Sequence, residues 1–150
     1  MEVIDMILDV NELVVNDKLP DVTLYLLSTE TRETILSFVK KEYESFLKYY
    51  KSPKVGTEVH AILHNNQMVG TVLIEKQPNA AEALTDGAIA CLIIAENMRG
   101  KKFGSAAIVA ACQELQSQGF QRVIAEWVAS IDLYRRLGFR VWKTREISSE

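Results

Sequence analysis

Residues 88–95 read Ala-Ile-Ala-Cys-Leu-Ile-Ile-Ala, eight apolar residues with no polar interruption. A strand with one wet face alternates apolar and polar residues, so this run predicts a central strand buried on both faces. It leads through Glu96-Asn97-Met98 into Arg99-Gly100-Lys101-Lys102-Phe103-Gly104-Ser105 and then into Ala106-Ala107-Ile108-Val109-Ala110-Ala111-Cys112. The alanines predict a helix that packs closely on a sheet, and Gly119 suits its left-handed end. A buried strand, a basic glycine-spaced loop and a helix therefore follow one another within about 30 residues, the scale of one strand–loop–helix unit.

The rest of the chain arranges itself around that unit. Val22–Leu27 predicts a strand. Ser28 or Thr29 can cap a helix whose apolar positions Ile35, Phe38, Val39, Tyr43, Phe46, Leu47 and Tyr50 keep helical spacing up to Pro53. Residues 58–64 and 67–76 predict a hairpin, with Asn65-Asn66 taking the positive φ angles of its turn. Val123–Val128 predicts a strand, Ser130–Arg136 a short helix and Phe139–Ile147 a last strand. This order predicts a mixed sheet with helices on its faces. Residues 1–20 are irregularly apolar and carry no clear periodicity. They are read as an N-terminal extension of uncertain structure on a single domain spanning 1–150.

Composition narrows the classes. With 48% hydrophobic and 25% charged residues, disorder, collagen and disulfide-rich miniproteins are excluded. A net charge of −3 argues against a nucleic-acid binder. No uncharged apolar run approaches the roughly 20 residues that span a bilayer, and Glu2, Asp5 and Asp9 are unlike a secretory leader. No membrane partner and a cytoplasmic location are expected. Residues 1–30 hold seven acids and one base, a local −6 that leaves +3 on the remainder.

Single residues sort in the same way. Cys91 and Cys112 lack metal-type or redox spacing and read as small core residues. His60 and His64 sit on one strand face roughly 13 Å apart, too far to share a zinc ion whose bonds are near 2 Å, so no metal is expected. Trp127 and Trp142 are candidates for a pocket wall or for sheet-face packing. Arg99, Lys101 and Lys102 beside a helix N-terminus form a candidate pyrophosphate site. The G-x-G-x-x-G and G-x-x-x-x-G-K-[ST] fingerprints are absent. On this segment alone an ordinary turn with solvated bases is an equal reading.

A second motif, Leu133-Tyr134-Arg135-Arg136-Leu137-Gly138-Phe139, completes a pattern. Together with Arg99-Gly100-Lys101-Lys102-Phe103-Gly104, and with the hairpin strand at Met68-Val69-Gly70, the chain resembles the GCN5-related N-acetyltransferase (GNAT) family over residues 22–147. That family's acetyl-CoA loop reads Gln/Arg-x-x-Gly-x-Gly/Ala, and its later motif commonly reads Leu-Tyr-x-x-Leu-Gly-Phe. Two positions depart: Lys102 stands where the family usually has glycine, and Trp127 where many members have asparagine.

The resemblance implies an α+β fold with a mixed, mostly antiparallel central sheet and helices on both faces. It implies acetyl-CoA as co-substrate and an amine acceptor, with direct attack in a ternary complex. The pantetheine arm would pair near Leu92 and Ile94 in a gap between strands 88–95 and 122–128. The pyrophosphate would sit on Arg99, Gly100, Lys101, Lys102, Phe103, Gly104 and Ser105. Tyr134 would be the general acid to the leaving thiolate. Glu126 and Asp86 are candidate bases, with Glu75 a third and a water relay another route. A non-catalytic acyl-CoA-binding module of the same fold remains the alternative. Exposed sheet edges make a homodimer a further expectation.

Overall fold

A computed structural model describes residues 1–15 and 18–147. Asn16 and Asp17, within the segment left unassigned above, and residues 148–150 lie outside them. Seven strands form one sheet in the order β2-β3-β4-β5-β6-β1-β7. The strands are β1 (Glu2–Asp9), β2 (Thr23–Leu26), β3 (Thr57–His64), β4 (Gln67–Glu75), β5 (Asp86–Ile94), β6 (Arg122–Ala125) and β7 (Arg140–Glu146). Every pairing is antiparallel except β5 with β6. The four α-helices are α1 (Arg32–Glu42), α2 (Leu47–Lys51), α3 (Phe103–Ser117) and α4 (Ile131–Arg136).

The two faces carry separate cores. Ala107, Ile108, Ala111, Cys112 and Leu115 of α3 pack on Ile74, Ile89, Val123 and Met6. Ile35, Leu36 and Val39 of α1 and Tyr50 of α2 pack on Val59, Ala61, Leu73 and Ile93 of the opposite face. The α+β fold with helices on both faces is thereby realised.

Residues 1–20 hold the largest difference from expectation. Glu2–Asp9 is an interior strand between β6 and β7, with Met6, Ile7 and Leu8 wholly buried. Its Asp5 is buried because Arg145 brings two N–H groups to it, at 2.8 and 3.2 Å, and the Trp127 N–H donates to it at 2.9 Å. A carboxylate so paired can occupy a strand interior, and nothing local in the sequence separates it from a solvated one.

The predicted first helix is divided. The backbone leaves helical geometry at Tyr43 (φ −157°), makes a 3₁₀ turn over Glu44–Phe46 and resumes as α2. Just before its start, Ser28 and Thr31 exchange backbone-to-side-chain hydrogen bonds of 2.9 and 3.3 Å, but the N-cap residue is Thr31, with no side-chain capping bond, in place of the expected Ser28 or Thr29. The hairpin turn is as expected, with φ of 51° at Asn65 and 64° at Asn66.

Candidate active site

The parallel pair β5–β6 is short. Its register runs from Asp86↔Arg122 to Ile89↔Ala125, and one further bond joins the Glu126 N–H to the Ile89 carbonyl at 3.2 Å. Beyond it the two strands part. β6 ends at Ala125, earlier than its apolar sequence suggests, because Trp127 takes a positive φ of 52°. β5 carries one extra residue against β4 between Ala90 and Ile93, a bulge centred on Cys91 with φ 52°. Burial on both faces therefore fails along this strand: Ala90, Cys91, Leu92 and Ile94 are only half-buried and face a cavity of about 1400 Å³. Cys91 is a cavity wall rather than a core residue, whereas Cys112 is buried as expected.

Loop 99–105 forms one end of this cavity. Gly100 has φ 80° and Lys102 φ 68°, so Lys102 supplies the left-handed residue that opens α3. Among the described residues no side chain caps that helix, and a helical bond at its start runs from the Ala106 N–H to the Lys102 carbonyl. The N–H groups of the first turn thus point toward the loop without intrahelical partners. Neither glycine is required by packing. A Cβ at Gly100 would meet nothing within 4 Å, and one at Gly104 would touch Ile94 and Leu133 only at 3.9 Å. Arg99 folds back, its Nε donating to the Ile94 carbonyl at 3.1 Å. Free N–H groups, a positive helix end, basic side chains and backbone room are what a pyrophosphate needs, so these residues fit the phosphates of acetyl-CoA.

Tyr134, on α4, also lines the cavity. Its ring packs edge-on to Phe139 at 5.2 Å, and its hydroxyl has no hydrogen-bond partner among the described residues. Burial, with a smaller contribution from the nearby Cys112 thiol, holds the phenol above the ordinary tyrosine value. Burial also pushes the Cys91 thiol up to about 12, with the Glu75 carboxylate adding to it. Tyr50 lies beneath the bulge and donates its hydroxyl to the Cys91 carbonyl at 2.6 Å.

The three carboxylates separate clearly. Asp86 starts β5, at the end away from the parting, and is no part of the cavity wall. Two N–H groups of Arg122 hold it at 2.8 Å each, and the Glu82 and Ala83 N–H groups complete its partners. The bond from Arg122 keeps its carboxyl below the usual range, which suits an ion pair and not a base. Glu126 and Glu75 both line the cavity, and each has one buried oxygen without a partner. Glu75 places its other oxygen 3.0 Å from Lys54 Nζ.

Trp127 lines the cavity, whereas Trp142 packs on the sheet beneath Lys143 and Arg122. His60 and His64 are engaged separately, by Glu58 and by the Asp21 carbonyl. Tyr43, Phe46 and Tyr49 also reach the cavity. The sequence placed the first two in a core stripe; the helix break leaves Tyr43 exposed, while Phe46 still packs partly against the core under α1.

The comparisons with known proteins concern the same residues. The model of the acetyltransferase (GNAT) family matches residues 24–139. No curated protein matches this chain. Among solved structures, a GCN5-related glucosamine N-acetyltransferase region of a fungal multi-domain β-N-acetylglucosaminidase is 18% identical with a TM-score of 0.79. That match covers 96% of this chain and 20% of the fungal protein. A GCN5-related N-acetyltransferase from Kribbella flavida is 17% identical with a TM-score of 0.68, over 96% of this chain and 56% of that one. A Trypanosoma brucei acetyltransferase is 21% identical with a TM-score of 0.65, over 87% of this chain and 99% of that one. The chain thus spans well under two thirds of the first two structures, and at these identities the likeness is one of fold. With the family model covering most of its length, this chain belongs to the GNAT family of acetyltransferases.

Proposed function

We propose that this chain transfers an acetyl group from acetyl-CoA to a primary amine by direct attack in a ternary complex. The observation that carries this reading is the parting of β5 and β6. It gathers the mouth of α3, a bulged strand edge and an unpartnered Tyr134 hydroxyl around one cavity.

In this reading the pyrophosphate rests on loop 99–105, and the pantetheine arm runs beside Leu92 and Ile94 as an added strand. The amine must first lose a proton, which in this reading Glu126 accepts, directly or through water, its role supported by a buried oxygen without a partner on the cavity wall. The nitrogen lone pair then attacks the thioester carbonyl carbon. A backbone N–H at the bulge can stabilise the oxygen as it gains charge. The new C–N bond forms, the nitrogen gives its second proton to solvent, the C–S bond breaks, and the sulfur takes the Tyr134 proton to leave as CoA thiol, while Glu126 releases its own proton to solvent. Solvent returns the proton to Tyr134.

A phenol is ordinarily a weaker acid than a thiol, so this transfer needs a cavity that makes thiolate costly. Cys91, on the wall of that cavity, shows the effect: burial pushes its thiol up to about 12. A CoA sulfur left there as thiolate would meet the same penalty, and so would a buried tyrosinate, so the proton moves as the C–S bond breaks and solvent replaces it on Tyr134. The two free thiols agree with a reducing compartment such as the cytoplasm.

The test is charge reversal of Arg99 and Lys101 to glutamate. A unit charge 4 Å from phosphate is worth about 1 kcal/mol even in water, and reversal turns attraction into repulsion. Calorimetry should show acetyl-CoA affinity falling by about tenfold or more. Unchanged affinity would remove the phosphate assignment. Release of free thiol on adding amines separates an enzyme from a non-catalytic acyl-CoA binder.

A further inference from the structure

We propose that the acceptor is a primary amine carried on a flat apolar ring, the chemistry of an arylalkylamine, bound in the half of the cavity away from loop 99–105. This rests on the acetyl-transfer reading and names the acceptor for it.

The polar half of the argument comes from register. Glu75 pairs with Ala88, and Ala88 pairs with Ile124, so the three share one face of the sheet. Glu126, two residues beyond Ile124, extends along that face. Two strand spacings and two residues of rise put the two carboxylate Cα atoms roughly 12 Å apart, close enough for both side chains to reach one small molecule. Glu75 is only 6% exposed. Lys54 satisfies its Oε1, while Oε2 is buried with no donor, and the Oε1 of Glu126 is in the same condition. Burying an acceptor without a donor is unfavourable. An ammonium carries three donors and no acceptor, which is the complement of these two oxygens.

The apolar half comes from aromatic rings on the cavity wall, one of which, Tyr49, has Lys48 Nζ 5.0 Å from its ring centroid. Tyr43 is 48% exposed, Tyr49 40% and Trp127 41%, and all three line the cavity. Phe46 joins the tyrosines, its ring centroid 4.3 Å from Tyr43 and 6.5 Å from Tyr49. These rings are held in place. The Tyr50 hydroxyl fixes α2 over the Cys91 bulge, and Lys54 ties the chain beyond α2 to Glu75. Across the parting, Asp5 accepts the Trp127 N–H at 2.9 Å and sets that residue's backbone. Aromatic walls beside two donor-seeking oxygens fit a molecule with an apolar ring at one end and an amine at the other. A polyamine would bring further ammonium groups beside Lys48 and Lys54, whose like charges repel them.

The experiment measures thiol release from acetyl-CoA with 2-phenylethylamine, glucosamine, spermidine and an alanine-initiated pentapeptide, alongside calorimetry of acetyl-CoA alone. The expected result is a kcat/KM for 2-phenylethylamine at least about tenfold above each of the others. Tyr49→Ala, and the apolar but ringless Tyr49→Leu, should both raise its KM several-fold and leave acetyl-CoA affinity unchanged. Acetyl-CoA binding with preference for another amine, with no turnover of 2-phenylethylamine, or with an unaltered KM in both Tyr49 variants would overturn the acceptor and leave the cofactor assignment standing. Failure of acetyl-CoA to bind would instead remove the transfer reading, and the acceptor with it.

Discussion

Replacing Tyr134 with phenylalanine removes one oxygen from the cavity and keeps the ring against Phe139 at 5.2 Å. The hydroxyl has no hydrogen-bond partner among the described residues, so no protein hydrogen bond is lost. A buried structural tyrosine whose hydroxyl is bonded would cost about 1–3 kcal/mol on this change, through the partner left unpaired. Here the expected stability change at neutral pH is within about 0.5 kcal/mol. The catalytic cost should be large. Loss of a general acid lowers kcat by roughly 10²–10⁴-fold. The hydroxyl also has an alkaline signature. Burial raises its pKa in the folded state, so between about pH 10 and the higher folded value the unfolded chain binds fewer protons than the native one. The stability it contributes is therefore intact below about pH 10 and is lost as pH rises above it. Wild type should lose stability there more steeply than Tyr134→Phe, although Tyr50 adds a parallel loss to both. Melting temperature and kcat on the same sample, at neutral and alkaline pH, check these points together. A variant destabilised by 2 kcal/mol or so with near-normal kcat would refute the acid role and make the tyrosine structural.

Two further substitutions test the division of labour. Asp86→Asn breaks a buried ion pair and should destabilise the fold by roughly 3–5 kcal/mol, with kcat of the surviving folded enzyme little changed. Because Arg122 lowers the Asp86 pKa, the stability it provides is present above about pH 4 and is lost as pH falls through the lower folded value. Urea unfolding at several pH values should show that acid loss in wild type and its absence in the variant. Cys91→Ala should keep turnover near wild type, because a thiol pushed up to about 12 is almost wholly protonated at neutral pH. A folded, acetyl-CoA-binding but inactive Cys91→Ala enzyme would contradict this.

The parts of the fold legible in the sequence are those whose causes are local. Asn65-Asn66 announces a turn because both residues tolerate positive φ, and both adopt it. The alanine-rich stretch after Gly104 announces a closely packed helix, and α3 is one. What stayed hidden depends on partners far along the chain. Asp5 looks like a surface acid until Arg145 is brought to it, and Asp86 looks like a free carboxylate until Arg122 is. The break at Tyr43 is masked because a 3₁₀ turn keeps nearly the same apolar spacing as the helix it interrupts. The apolar run 88–95 correctly marks a central strand, β5, which takes in all of it but Ala95. The run does not reveal that the strand's neighbour departs halfway, since a cavity wall and a core contact select the same side chains.

The position of β1 has a consequence for how the molecule assembles. Asp9 lies opposite Arg122 and Glu2 opposite Glu146, so the strand at one end of the sequence is completed only by strands from the other. The chain closure this requires is among the longest available to it, and such non-local pairing slows folding. Until β6 is in place, Met6, Ile7 and Leu8 have no sheet to enter, and until β1 then pairs with it, β6 presents an open hydrogen-bonding edge. An intermediate with α3 already docked on β4 and β5 but with that edge bare would be the species most prone to aggregate. Refolding yield should therefore fall with protein concentration more steeply than final stability would suggest, because the last strand pairing to form is also the one that hides the stickiest segment.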